Sequence, residues 1–144
     1  MTEGLLAMGI VVSKRLLSEV NAYRLIIYAN GAFDQEDNAF SINKRLAEEL
    51  RKLKPARRTM QLEKCFNRII DSLPEKAVIK DIDVMFNPAY QIDVIRILVE
   101  ANKRHPFSLV WSGRYEDNRL LYGEEGLADY KAFEIGDYDI VCVA

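Results

Sequence analysis

The chain has 144 residues, 49% hydrophobic and 29% charged, with a formal net charge of −2. That length fits one domain, residues 1–144, with a core of its own, and the composition is that of a soluble globular protein. The small net charge does not announce a nucleic-acid binder, and two cysteines with one histidine cannot make a four-ligand zinc site without recruiting carboxylates.

The apolar run Leu5 to Val12 is too short to span a bilayer. It has no basic region before it and no small-residue cleavage site after it, so no signal peptide is read and a cytoplasmic protein with no membrane partner is expected. Residues 3–22 read as a helix, because Leu5, Met8, Val12, Leu16 and Val20 recur at spacings of three and four. That N-terminal helix, within residues 1–22, is expected to lie across a sheet or pack on a second subunit.

Arg24 to Ala29 reads as the first buried strand, broken by Asn30-Gly31. An acidic stretch follows, and Ala39 to Ile42 is a short second strand. A helix is expected from Asn43 to Lys54, with Leu46, Leu50 and Leu53 inward and Pro55 ending it. A second runs from Thr59 to Leu73, stopped by Pro74.

Ala77 to Asp83 is the central strand: apolar β-formers lead into Asp81 and Asp83. Such a strand brings carboxylates to the edge of a sheet, where α/β folds bind ligands. Asn87-Pro88 then reads as the start of a helix reaching Lys103. Phe107 to Trp111 is a further strand and Asp139 to Val143 the last, with Leu120-Leu121-Tyr122 a short strand or packed turn and Leu127 to Phe133 a short helix. Alternating strands and helices make the expected fold α/β, a mainly parallel sheet of about five strands with helices on both faces.

On a strand, Asp81 and Asp83 share a face. They can hold a magnesium ion for phosphoryl transfer, or serve as a cap and as the partner of a base such as Arg114. A phosphate loop needs glycines, a lysine and a Ser/Thr in sequence. No glycine here is followed by lysine, and Asp34, Glu36 and Asp37 after Gly31 would repel a triphosphate. His105, the only histidine, lies at a helix end beside Pro106 and reads as a cap or an exposed residue, which leaves no Ser-His-Asp arrangement. Cys65 and Cys142, among apolar neighbours, read as buried free thiols.

From Lys44 to Arg68 nine bases face three acids, a net of +6. Lys44, Arg51, Lys54, Arg57, Arg58, Lys64 and Arg68 are the candidates for binding a nucleic acid or an acidic partner; two solvated helix faces account for them equally. From Trp111 onward eight acids face three bases, an opposite bias that suits self-association or docking on a larger assembly.

Four stretches carry a resemblance. They are Phe40-Ser41-Ile42-Asn43-Lys44-Arg45-Leu46, Val78 to Pro88, Ser108-Leu109-Val110-Trp111-Ser112-Gly113, and Leu121-Tyr122-Gly123-Glu124-Glu125-Gly126-Leu127-Ala128-Asp129-Tyr130. In order and spacing the chain resembles the BrxF-like P-loop proteins of type 3 BREX phage-defence systems, over Arg24 to Val143. Val78 to Pro88 is similar to that family's Walker B strand. Only about ten residues separate Ala29 from Phe40, too few for a Walker A loop and its helix. The resemblance therefore implies a truncated P-loop NTPase fold without ATP binding: a non-catalytic component or adaptor of a phage-defence complex, binding protein partners. It carries over Asp81 and Asp83 as Walker B-like positions, with magnesium as the ion they would take and no other cofactor. The alternatives are a nucleic-acid-binding accessory subunit using residues 44–68, and a metal-dependent phosphoryl-transfer enzyme using Asp81 and Asp83.

Overall fold

The computed structural model describes residues 9–19 and 24–144. Six strands form one parallel sheet: β1 (Ile10–Val12), β2 (Leu25–Tyr28), β3 (Phe40–Ser41), β4 (Ala77–Lys80), β5 (Phe107–Val110) and β9 (Ile140–Val143), in the order β1-β9-β2-β5-β4-β3. A second sheet is antiparallel and contains β6 (Arg114–Glu116), β7 (Arg119–Tyr122) and β8 (Lys131–Glu134), in the order β6-β7-β8. Among the described residues the α-helices are α1 (Asn43–Arg51), α2 (Pro55–Asp71) and α3 (Val94–Arg104). The protein is an α/β fold.

The chain crosses the sheet one way from β3 through β4 and β5 to β9, and the opposite way from β2 to β3. Right-handed crossovers therefore put α1, α2, α3 and the second sheet on one face, and residues 29–39 on the other. Burial agrees. Leu25, Ile27, Ile79, Leu109 and Cys142 join one continuous core with Leu46, Phe66, Ile70, Ile95 and Leu98 of the helices. On the opposite face Ile26, Tyr28, Val78, Ser108 and Val110 are only half-buried. Phe33 packs on Tyr28 there, ring centroids 4.9 Å apart, and the Lys14 ammonium donates to Asp34 at 2.8 Å. That contact holds the Asp34 carboxyl below the usual carboxylate range.

Four local expectations are corrected. The helix read over residues 3–22 is not continuous: its described part is β1 followed by a 3-10 turn, Lys14–Glu19, while residues 1–8 and 20–23 lie outside the described residues. Three consecutive β-branched residues favour pairing with β9 over a helix. Gly9 lets the chain enter that strand past the Ile135 carbonyl, where any Cβ would collide. Pro55 does not end α1 but stands at N1 of α2, where its missing N–H costs nothing, so α2 begins four residues before Thr59. Asn87-Pro88 opens an Asx turn instead of a helix, with Asn87 Oδ1 accepting from Ala89 N at 2.9 Å. Gln91 has φ 45°, and α3 starts only at Val94, capped by Asp93, which accepts from Arg96 N at 3.2 Å. Finally, residues 127–133 are not helical. Phe133 is buried between exposed Ala132 and Glu134, the period-two pattern of a strand, and pairs with Leu120.

The second sheet docks through an aromatic cluster. Phe86 stacks on Tyr122 with centroids 3.9 Å apart at 12°, and meets Trp111 edge-on at 5.5 Å. Trp111 Nε1 donates to the Leu121 carbonyl at 2.9 Å. Asp117 and Asn118, at φ 51° and 63°, make the tight turn between β6 and β7.

Candidate functional site

The carboxyl ends of β2, β3, β4 and β5 define the edge where an α/β sheet binds ligands. β4 ends at Lys80, short of the expected Asp83. Asp81 turns into the left-handed region at φ 54°, a conformation that aspartate tolerates better than most residues. The strand alternation that would set Asp81 and Asp83 on one face is therefore broken between them. Asp81 Oδ2 accepts from Ser41 Oγ at 2.7 Å, across the β3–β4 pair. Asp83 opens a 3-10 turn, Asp83–Phe86, and accepts from Tyr122 OH at 2.9 Å and Asn43 Nδ2 at 3.3 Å. Asn43, the first residue of α1, also accepts from Val84 N at 2.8 Å and ties that turn to the helix.

Both acids are thus satisfied by neutral donors and not by a base. Arg114, considered above as their partner, donates instead to the Gly123 carbonyl at 2.9 Å. Ser41 engages only Oδ2 of Asp81, whereas both oxygens of Asp83 accept, Oδ2 from Tyr122 and Oδ1 from Asn43. Among the described residues no group of three or more His, Cys, Asp or Glu side chains is arranged to hold a metal. Burial, reinforced by the hydrogen bond to and the charge of Asp83, pushes the Tyr122 hydroxyl up to about 12.

The loop after β2, where a phosphate loop would start, is a tight turn. Asn30 and Gly31 have φ 51° and 76°, and Ala32 N donates to the Ala29 carbonyl at 3.0 Å. The Asn30 side chain then locks onto the backbone of β6: Nδ2 donates to Tyr115 O at 3.0 Å, and Tyr115 N donates to Oδ1 at 2.9 Å. Exposed Asp34, Glu36 and Asp37 follow. A phosphate group approaching this turn would meet three carboxylates, of which, among the described residues, Asp34 alone is offset, by Lys14 at 2.8 Å.

Beside the acids lies an open groove of about 670 Å³, with Phe86 and Tyr122 in its lining, Lys44 from α1, and Asp83 and Asp129. It continues past Ala47 and Val84 into a pocket of about 250 Å³ that reaches Arg51, Arg58 and Tyr90.

The basic segment divides. Arg58 is half-buried and donates from Nε to the Leu50 and Leu53 carbonyls at 2.9 and 3.3 Å, closing the C-terminal end of α1. Arg68 pairs with Glu49 at 3.3 Å. Lys44, Arg51, Lys54, Arg57 and Lys64 are exposed and make no ion pair or side-chain hydrogen bond among the described residues. His105 caps α3, its Nε2 donating to the Leu73 carbonyl at 2.9 Å. Cys65 and Cys142 are buried free thiols.

Sequence reasoning located Asp81 and Asp83 but missed Ser41, Asn43 and Tyr122 as the groups that hold them. The one local signal was the Ser41-Ile42-Asn43 run at a helix start, which reads as capping and not as a brace for another strand. Compared with protein-family models, curated proteins and solved structures, the chain matches none. Among the described residues no helix is long and apolar enough to cross a membrane.

Proposed function

We propose that the chain is a non-catalytic, degenerate P-loop-like component of a BREX-type phage-defence complex, acting through protein–protein contacts. The observation that carries this reading is the exit of β2. The turn there is stitched to β6 by Asn30 and followed by Asp34, Glu36 and Asp37, while Asp81 and Asp83 stand two strands away, with one oxygen of Asp81 and both of Asp83 engaged by hydroxyls and an amide. An edge of this kind retains carboxylates and lacks the N–H cradle and lysine that nucleotide chemistry needs. The reading predicts no heat when ATP–magnesium is titrated into the protein by isothermal calorimetry. It also predicts co-elution with products of adjacent genes after co-expression. Micromolar ATP–magnesium binding that Asp81→Ala abolishes would sink it.

A second reading, an accessory nucleic-acid-binding subunit, is favoured by five bases from Lys44 to Lys64 that have no partner among the described residues. It predicts a low-salt fluorescence-anisotropy shift with single- or double-stranded DNA or RNA. Affinity would fall about tenfold or more when both Arg57 and Lys64 are replaced by Glu, and steeply with added salt. A flat titration at low salt removes this reading.

A further inference from the structure

We propose that the chain associates with copies of itself head to tail, the basic Met60 ridge of α2 in one copy docking on the acidic Leu127 turn of the next. This extends the protein-contact reading by naming one partner, and it stands on the following observations.

Met60 and Leu127 are the two most exposed large apolar side chains among the described residues, at 77% and 59% of full exposure. The charges around each are mainly of one sign, bases beside Met60 and acids before Leu127, where Arg114 donates to the Gly123 carbonyl at 2.9 Å. Arg57 and Lys64 lie three residues before and four after Met60, one turn away on the same ridge of α2. Neither has a partner among the described residues, and the one acid close by, Glu63, is drawn to Arg96 of α3 at 3.5 Å. Glu124 and Glu125 precede Leu127 in the turn between β7 and β8, both exposed and neither in an ion pair among the described residues. The turn carries two backbone hydrogen bonds of its own: Leu127 N donates to the Glu124 carbonyl at 3.0 Å and Tyr130 N to the Leu127 carbonyl at 3.1 Å.

An apolar centre ringed by charge is the anatomy of a small interface, and the two rings are opposite in sign. No ion pair joins them within the chain among the described residues. Two different patches that fit each other make a heterologous contact, and such a contact leaves one free patch at each end. Association therefore does not stop at a dimer; it proceeds to a ring or an open chain.

The test is sedimentation velocity over a concentration series at about 50 mM and about 500 mM salt, where the screening length shrinks severalfold. The expected result at low salt is a weight-average mass rising past that of a dimer, and falling back at high salt. Arg57→Glu with Lys64→Glu, and separately Glu124→Lys with Glu125→Lys, each weakens association by about tenfold or more. Combining all four substitutions in one chain restores it, because the ring charges have changed places. Trp111 fluorescence checks that each variant is folded. A monomer at every concentration overturns the proposal, as does a mass unaffected by either pair of substitutions, or a fourfold variant no better than its parents. Loss of nucleic-acid binding in the Arg57/Lys64 variant with its mass unchanged assigns the ridge to a nucleic acid and likewise overturns it. A monomer that still co-elutes with an adjacent gene product leaves the adaptor reading intact.

Discussion

Phe86→Ala is expected to lower the unfolding free energy by about 3–5 kcal/mol. Phe86 is 1% exposed and sits where three parts of the fold meet. It ends the Asp83–Phe86 turn, stacks on Tyr122 of β7, and meets Trp111 beyond β5 and Phe133 of β8 edge-on. Truncation leaves a ring-sized void in this cluster. The surrounding rings are held by Trp111 Nε1 on the Leu121 carbonyl and by Tyr122 OH on Asp83, so they are poorly placed to collapse into it. Phe86→Leu keeps most of the buried area and loses the stack, at a cost of about 0.5–1.5 kcal/mol for the lost aromatic geometry. Urea unfolding followed by far-UV circular dichroism measures both, with Glu75→Ala as the exposed control, expected within about 0.5 kcal/mol of the parent. A Phe86→Ala loss below about 1 kcal/mol would mean that the second sheet docks without this cluster.

The parallel sheet was largely legible because its strands are short apolar runs bounded by breakers. β2, β4, β5 and β9 are each four residues long and half or fully buried. β1 was not legible. Its three residues fall inside a chance three-and-four spacing from Leu5 to Val20, and the pairing with β9 that decides its conformation lies some 130 residues away. Of the second sheet only β7 was legible, as the short run Leu120-Leu121-Tyr122; β6 and β8 escaped for a related reason. Strands of three and four residues show too little alternation, and Asp117-Asn118 is a weaker hairpin signal than Asn-Gly. At the edge, the carboxylates announced themselves and their partners did not. Ser41 and Asn43 lie 40 residues from the aspartates they brace, and Tyr122 lies 39 from Asp83. A hydroxyl or amide that meets an acid only through tertiary contact leaves no local pattern. The bent path at Asp81 also depends on tertiary fit, because a left-handed aspartate has no sequence mark of its own.

The same hydroxyl–carboxylate pairing recurs and makes stability fall on the alkaline side. Tyr122 OH donates to Asp83 at 2.9 Å, and Tyr138 OH donates to both oxygens of Asp93 at 3.0 and 3.2 Å. One latch ties the second sheet to the turn after β4. The other ties the turn before β9 to the N-terminus of α3. Burial first, and then the adjacent carboxylates, raise both phenols; Tyr122 rises to about 12 and Tyr138 rises as well. An unfolded tyrosine ionises near 10. Since the folded form holds its proton to higher pH, the stabilisation is fully present below about pH 10 and is lost as pH rises toward 12, where the unfolded chain has already shed that proton. Urea midpoints measured from pH 8 to 12 should therefore fall more steeply for the parent than for Tyr122→Phe or Tyr138→Phe, with the double variant flattest. At pH 8 each substitution is expected to cost about 1–3 kcal/mol, because it removes a hydrogen bond to a charged group. Parallel pH curves for parent and variants would mean that the latches exchange with solvent and that the aromatic cluster alone holds the second sheet in place.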